Sequence, residues 1–138
     1  MYSHETKTRI RYGETDRMGY AHHANYPLYF EEGRMELLRS LDLNYKDLED
    51  SGIILPVISI NTKFLSPVYY DDVLTIMTIL KEIPRTRLKF YYEVLNQNKK
   101  LVTRADVVLA FVDSETRKPM MAPEIFIKQL KKVKAFQQ

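Results

Sequence analysis

The stretch from residue 12 to residue 34, YGETDRMGYAHHANYPLYFEEGR, constrains the fold more than any other part of the chain. Its first half is a polar loop with two glycines and two adjacent histidines, and its second half begins the strongest helical pattern. Asn25 is a predicted N-cap, and Pro27 fits the first helical turn, where a missing N–H group does no harm. A loop that leads into a helix N-terminus presents free backbone N–H groups, which can hold a developing oxyanion. Asp16, a few residues upstream, is the carboxylate predicted to face the same place.

Hydrophobic periodicity predicts one long helix followed by a run of strands. The helix extends from about Tyr26 to Leu41 and then frays through the segment LDLNYKDLEDSG. Gly33 lies on its apolar face, where the absence of a side chain would let a sheet come close. A short terminal helix is predicted to begin at Pro123. Alternating apolar residues predict strands over residues 6–12, 58–64, 73–80, 88–94 and 101–112.

This order of elements predicts a single α+β domain over residues 1–138. An antiparallel sheet of about five strands would wrap around one long central helix, with the short helix after the sheet. The last three strands are predicted to pair as an antiparallel meander, because short turns separate them. One helix cannot cover a sheet of this length, so a partner subunit is expected to complete the burial.

Composition and charge limit the classes of function. Hydrophobic residues make up 45% of the chain and charged residues 28%, which is typical of globular proteins, and no apolar run reaches transmembrane length. The N-terminal MYSHETKTR lacks a signal-peptide core, so a cytoplasmic protein without membrane insertion is expected. The chain has no cysteine, and only His4 besides the adjacent His22 and His23, so neither a metal site nor another cofactor is predicted. The net charge of +3 suits an anionic small ligand and is too diffuse to predict nucleic-acid binding.

The motifs in and after the loop resemble those of a known family. Residues 15–19 read T-D-R-M-G, residues 22–26 read H-H-A-N-Y, and residues 30–34 read F-E-E-G-R. This combination of D-x-x-G, H-x-N-Y and F-E-x-x-R is similar to the 4-hydroxybenzoyl-CoA thioesterase type of acyl-CoA thioesterase, including its Tol–Pal-associated branch. Together with the order of elements, the resemblance covers nearly the whole chain and implies the hotdog fold.

The resemblance implies a role for each matching residue. Asp16 matches the catalytic carboxylate of the family, and the backbone N–H of His23 matches the group that polarises the thioester carbonyl. Asn25 and Glu31 match supporting positions around the site. The resemblance also implies a homodimer or homotetramer whose active sites lie at the subunit interface.

Further residues are expected to bind the substrate. Gly19 and Tyr20 follow Asp16 on the loop, where they would help to shape the acyl site. Four basic residues are candidates for holding the phosphates of CoA, since guanidinium and ammonium groups suit phosphate. A solvated strand end explains the same charges about equally well. The four are Lys63, Arg85, Arg87 and Lys89.

The predicted function is hydrolysis of a small or medium acyl-CoA to the free acid and CoA, without a metal ion. Asp16 would act as nucleophile or as general base on water, and the sequence leaves both roles open. Glu14, two residues away, is the second carboxylate that could share this role. The alternative is a non-catalytic hotdog module that binds acyl-CoA or acyl-carrier protein. A hotdog dehydratase is disfavoured, because the helix start has no D-x-N-P-x-H signature.

Overall fold

Helix α1 (Tyr26–Ser40) lies against one face of a five-stranded antiparallel sheet in the computed structural model, which describes residues 1–137. Two shorter helices, α2 (Tyr45–Asp50) and α3 (Glu124–Lys131), follow α1 in the chain. None of the helices within residues 1–137 has the length and apolarity needed to cross a membrane. The strands are β1 (Tyr2–Arg9), β2 (Ile53–Ile54), β3 (Val57–Phe64), β4 (Val73–Leu80), β5 (Arg87–Leu95), β6 (Leu101–Ala110) and β7 (Val112–Asp113).

The five strands of the sheet lie in the order β1-β4-β5-β6-β3, and every neighbouring pair is antiparallel. Strands β4, β5 and β6 form the predicted meander. A turn closed by a hydrogen bond from Lys99 N–H to the Asn96 carbonyl joins β5 to β6. Strands β1 and β3 lie at the two edges, while β2 and β7 pair with each other outside the sheet. The five-stranded antiparallel sheet and its meander are those that the sequence predicts, whereas the strand order and the β2–β7 pair come from the structure.

Helix α1 buries the apolar face predicted from its periodicity. Phe30 and Leu37 are fully buried, and Gly33 lies between them at the point where the helix meets the sheet. A Cβ atom added at Gly33 would overlap Thr78 Oγ1 and would lie 3.0 Å from Ile76. A side chain at this position would therefore force the helix and β4 apart or make Thr78 move.

Three segments differ most from those predicted, and in one of them the strand predicted over residues 101–112 ends at Ala110, with Val112 in the separate strand β7. Strand β1 covers Tyr2–Arg9 rather than residues 6–12, because its ladder to β4 begins at Tyr2 and the chain turns into a 3-10 helix at Tyr12–Glu14. The segment after α1, predicted to fray, contains helix α2. Asn44 caps this helix through its side chain, which accepts a backbone hydrogen bond of 2.9 Å. The N-cap stabilises this six-residue helix, which is too short for hydrophobic periodicity alone to predict.

The two edge strands expose different kinds of side chain. The exposed positions of β1 are polar or charged, whereas β3 exposes large apolar side chains. On β3 the exposed fractions run from 40% at Ile60 to 52% at Phe64. Within residues 1–137, β3 is hydrogen-bonded only to β6, so its outer edge is open. An open apolar edge is a surface on which another strand can pair, whereas the charged edge of β1 disfavours such pairing.

The contact at Gly33 gives a prediction for stability. Gly33→Ala gains about 1 kcal/mol of helix propensity, but overpacking against Thr78 typically costs about 1–3 kcal/mol. The difference between the two effects is a net loss of up to about 2 kcal/mol in the free energy of unfolding, measured by urea denaturation. Gly13→Ala is the matched control, because a Cβ atom at Gly13 would have nothing within 4 Å. Adding Thr78→Ala to Gly33→Ala should recover most of the loss, and the absence of any recovery would contradict the steric explanation.

Candidate active site

A cleft of about 280 Å³ lies where the loop after β1, the start of α1 and the end of β3 meet. The loop contributes Asp16 and Tyr20, the helix start contributes His23 and Tyr26, and β3 contributes Phe64. The structure thus brings three of the predicted site residues, Asp16, Tyr20 and His23, to one cleft. Phe64 ends the strand predicted over residues 58–64, and no local pattern in the sequence links this strand end to a loop about 45 residues earlier.

Asp16 is held by its own loop through one carboxylate oxygen. Oδ1 accepts hydrogen bonds from Met18 N–H at 2.9 Å and from Tyr20 N–H at 3.2 Å. Gly19 adopts a φ of 82°, a left-handed conformation that favours glycine and lets the chain turn back toward Tyr20. Oδ2 has no hydrogen-bond partner among residues 1–137. The half-buried carboxylate therefore has a fixed position and one oxygen available for chemistry.

The helical backbone begins earlier than predicted, at a 3-10 turn over His23–Asn25 that runs directly into α1. His22 is its N-cap, because its Nδ1 accepts a hydrogen bond from Ala24 N–H at 3.1 Å. Asn25 N–H donates to the His22 carbonyl at 2.9 Å. The N–H of His23 has no partner in the part of the chain that the structure describes. It lies beside the cleft at the positive end of the helix dipole, where it can stabilise an oxyanion.

The prediction that Asn25 caps the helix through its side chain is wrong. Its side chain makes no capping hydrogen bond, and its Nδ2 instead donates to the carbonyl oxygen of Glu14 at 2.7 Å. The reason is that the extra 3-10 turn moves the helix start upstream of Asn25. Histidine is not among the strongly preferred N-caps, so the sequence carried little signal for His22 in that role.

The side chain of Glu14 is buried and does not line the cleft. Its Oε1 accepts from Arg11 N–H at 2.7 Å, and its Oε2 accepts from the Arg11 guanidinium at 3.1 Å. Burial by itself would raise the pKa of Glu14, but the hydrogen bonds and the charge of Arg11 outweigh it and hold the pKa below its ordinary value. Burial, and then the nearby Glu14 carboxylate, raise the pKa of Tyr29. With both oxygens engaged, Glu14 fits an anchor for the loop better than a base.

Glu31 does not line the cleft. It lies on the exposed side of α1, with its Oε2 4.0 Å from the guanidinium of Arg34. Arg34 is buried, with only 7% of its side chain exposed. The structure therefore places Glu31 beside a buried cation and not beside the other predicted catalytic residues.

Three of the four predicted CoA-binding cations lie away from the cleft within one chain. Arg85, Arg87 and Lys89 are exposed and line a second cleft of about 260 Å³, and Lys63 lines a third. Phe64 pairs with Thr103 and Arg87 pairs with Ala110, seven residues further along β6. At about 3.3 Å per residue, the Arg87 cluster is about 23 Å from the first cleft. No group of three His, Asp or Glu side chains in residues 1–137 is arranged to bind a metal ion.

Comparison with known proteins identifies the family. A model of the thioesterase-like superfamily matches residues 10–130, and the chain belongs to this superfamily. The acyl-CoA thioesterase candidate YneP of Bacillus subtilis is 30% identical over 126 residues, which cover 91% of each chain. The acyl-CoA thioester hydrolase YbgC of Escherichia coli O6:H1 is 28% identical over 123 residues, which cover 89% of this chain and 92% of YbgC. The crystal structure of DHNA-CoA thioesterase from Staphylococcus aureus matches with a TM-score of 0.91 at 30% identity, covering 98% of this chain and 93% of that one.

These similarities confirm the family and the hotdog fold predicted from the sequence. The matched residues include the whole loop and α1, which carry the motifs on which the prediction was based.

The pKa of Glu14 gives a prediction for stability at different pH values. Since the folded state lowers this pKa, the ionised carboxylate stabilises the fold at neutral pH, and its contribution disappears as the pH falls through the folded-state pKa. Glu14→Gln should therefore unfold at lower urea concentration than the wild type at about pH 7, and the difference should shrink toward about pH 3.

The control for this experiment is Glu36→Gln. Glu36 also pairs with an arginine three residues away, Arg39, but both side chains are partly exposed on α1. Its urea midpoint should stay close to that of the wild type at both pH values. A Glu14→Gln difference that is the same at both pH values would contradict the lowered pKa.

Proposed function

We propose that the protein is an acyl-CoA thioesterase that hydrolyses a small or medium acyl-CoA to the free acid and CoA without a metal ion. The observation that carries the proposal is one cleft that is lined by the Asp16 carboxylate and by the helix start at His23. Among residues 1–137, neither Oδ2 of Asp16 nor the N–H of His23 has a hydrogen-bond partner. The relatives YneP and YbgC, whose names refer to acyl-CoA thioesters, support the substrate class.

In the proposed reaction, the N–H of His23 donates a hydrogen bond to the thioester oxygen and stabilises the negative charge that develops there. Asp16 either takes a proton from the attacking water or attacks the carbonyl carbon itself to form an anhydride that water then opens. In both routes the C–S bond breaks, the thiolate of CoA leaves and takes up a proton, and the acid is released. Tyr20 would contact the acyl group from the loop that Gly19 turns.

Asn25 and Glu31 have supporting roles in this proposal. Asn25 ties the helix start to the carbonyl oxygen of Glu14 and so fixes the position of the neighbouring His23 N–H. Glu31 acts from a distance, because its charge balances the buried guanidinium of Arg34 on the helix that carries the site. Neither residue needs to touch the reacting atoms.

A homodimer would bring the cations toward the cleft. Pairing of the open β3 edge with a second copy about a two-fold axis runs the two strands antiparallel, so the Val57 end of one lies beside the Phe64 end of the other. The Arg85, Arg87 and Lys89 cluster lies at the Val57 end of the sheet. The partner's cluster would then approach this chain's cleft and could hold the phosphates of CoA, while Lys63 lies on the pairing strand itself. The exposed apolar residues of β3 support this pairing.

The direct test measures free thiol released from short, long and aromatic acyl-CoAs by the wild type and by Asp16→Asn. Asparagine keeps the size of Asp16 but removes its charge and basicity, so kcat should fall by at least about 10²–10⁴-fold, as is typical for loss of a general base. Circular dichroism and acyl-CoA binding should be unchanged. Glu36 does not line the cleft, so Glu36→Gln should keep the wild-type kcat. Absence of turnover by the wild type on every substrate would favour the binding module instead.

The β3 edge gives a prediction for assembly. Ile60→Lys places a charge on the apolar edge and places two equal charges near each other in a two-fold pair, so the dimer should dissociate and thiol release should fall with it. Light scattering at micromolar concentration measures the assembly. Ser3→Lys adds the same charge to the other edge strand and should leave both the mass and the activity unchanged. A wild-type protein that is monomeric and fully active would contradict the interfacial site.

A further inference from the structure

Glu14 joins the two parts of the candidate active site through its main chain. Its carbonyl oxygen accepts a hydrogen bond of 2.8 Å from His22 N–H and one of 2.7 Å from Asn25 Nδ2. These two donors lie on either side of His23, whose N–H is the proposed oxyanion donor. In the other direction along the chain, Asp16 follows Glu14 by two residues. The Glu14 peptide therefore connects the carboxylate to both ends of the first helical turn, beside the bridge between Thr15 and Ala21.

The side chain of Glu14 holds this peptide in place. It reaches back to the N–H and the guanidinium of Arg11, which closes the 3-10 turn Tyr12–Glu14 on itself. The Glu14 side chain is only 11% exposed, whereas that of Arg11 is 81% exposed, so the contact between Arg11 N–H and the Glu14 carboxylate is partly buried on the Glu14 side. Without an acceptor at this place, the Arg11 N–H would lose its partner, and only the bonds from Glu14 N–H to the Arg11 carbonyl and from Thr15 to the Tyr12 carbonyl would still hold the turn.

We propose that Glu14 is a positioning residue, whose carboxylate fixes the distance between Asp16 and the N–H of His23 without touching the substrate. This inference rests on the proposed thioesterase function of the cleft. A shift of the Glu14 peptide moves Asp16 through the chain and moves the helix start through His22 and Asn25, so both halves of the site lose their relative position together. Catalysis is sensitive to such a shift, because a misplacement of about 1 Å can cost about 10²-fold in rate.

Two substitutions at Glu14 separate positioning from direct participation. Glu14→Ala removes both acceptors, and kcat should fall about 10- to 100-fold while KM changes by no more than about threefold. Glu14→Gln keeps one oxygen for the Arg11 N–H, so its kcat should stay within about fivefold of the wild type. If Glu14 were a catalytic carboxylate, Glu14→Gln and Glu14→Ala would be equally inactive, because both remove the charge. Glu36→Ala, which removes the carboxylate of another pair three residues apart, should keep the wild-type kcat.

Hydrogen–deuterium exchange supplies a readout that does not depend on activity. In Glu14→Ala, the amides of His22 and Asn25 should exchange at least about tenfold faster, while buried amides in the middle of α1 keep their wild-type rates. Glu36→Ala should leave the amides of His22 and Asn25 unchanged. If Glu14→Ala does not fold, Glu14→Asp provides the same test, because it keeps the charge but is too short to reach Arg11 from the same position.

The outcomes distinguish this inference from the proposed function. If the wild type releases no thiol from any acyl-CoA, the thioesterase proposal fails, and with it the role of Glu14 in turnover. Wild-type exchange at His22 in the folded Glu14 variant would overturn the inference even if the protein is an active thioesterase. A kcat for Glu14→Gln as low as that of Asp16→Asn would also overturn it, because Glu14 would then act in the chemistry.

Discussion

The close contact between α1 and the sheet at Gly33 is the constraint on which the other features depend. Because Gly33 has no side chain, the helix backbone can approach Thr78 and Ile76, and Phe30 and Leu37 on either side become fully buried. This contact holds the middle of the helix on the sheet, and the buried side chains of Tyr26 and Phe30 extend the packing to its N-terminus. The N–H of His23, from which no other group of residues 1–137 accepts a hydrogen bond, therefore has a defined place beside the cleft. Electrostatic stabilisation of a transition state needs donors that are already in position.

Two carboxylates separated by a single residue have different surroundings. Glu14 is buried and both its oxygens accept hydrogen bonds from Arg11, whereas Asp16 is half-buried and keeps one oxygen free at the cleft. The contrast comes from the turn at Tyr12–Glu14, which directs the first carboxylate inward and leaves the second beside the cleft. Two neighbouring carboxylates can have separate roles when their environments differ in this way.

The groups proposed for catalysis and for CoA binding lie at opposite ends of one sheet. In a single chain, a substrate that contacted both Asp16 and Arg87 would have to cover about 23 Å along the strands. A two-fold pairing of β3 would reverse one sheet relative to the other and remove most of this separation. The exposed apolar residues of β3 would drive this pairing. In an isolated chain, the same residues would make the β3 edge prone to aggregation.

The sequence by itself determined the family, the hotdog fold and most of the elements. The sequence predicted the apolar face of α1, the meander of β4 to β6 and the importance of the loop, because periodicity and short motifs are local properties of the chain. It also singled out Asp16, Tyr20 and His23, which lie close together in sequence and line one cleft.

Only the tertiary structure decided which groups meet across long stretches of chain. It made His22 the cap in place of Asn25, buried Glu14, brought Phe64 to the cleft, and separated Glu31 and the Arg87 cluster from Asp16. The physical reason is that burial and hydrogen bonding depend on the packing of elements that are remote in sequence. The register of β3 on β6 places Phe64 and Arg87 at opposite ends of the sheet, and no local pattern in either strand carries that information.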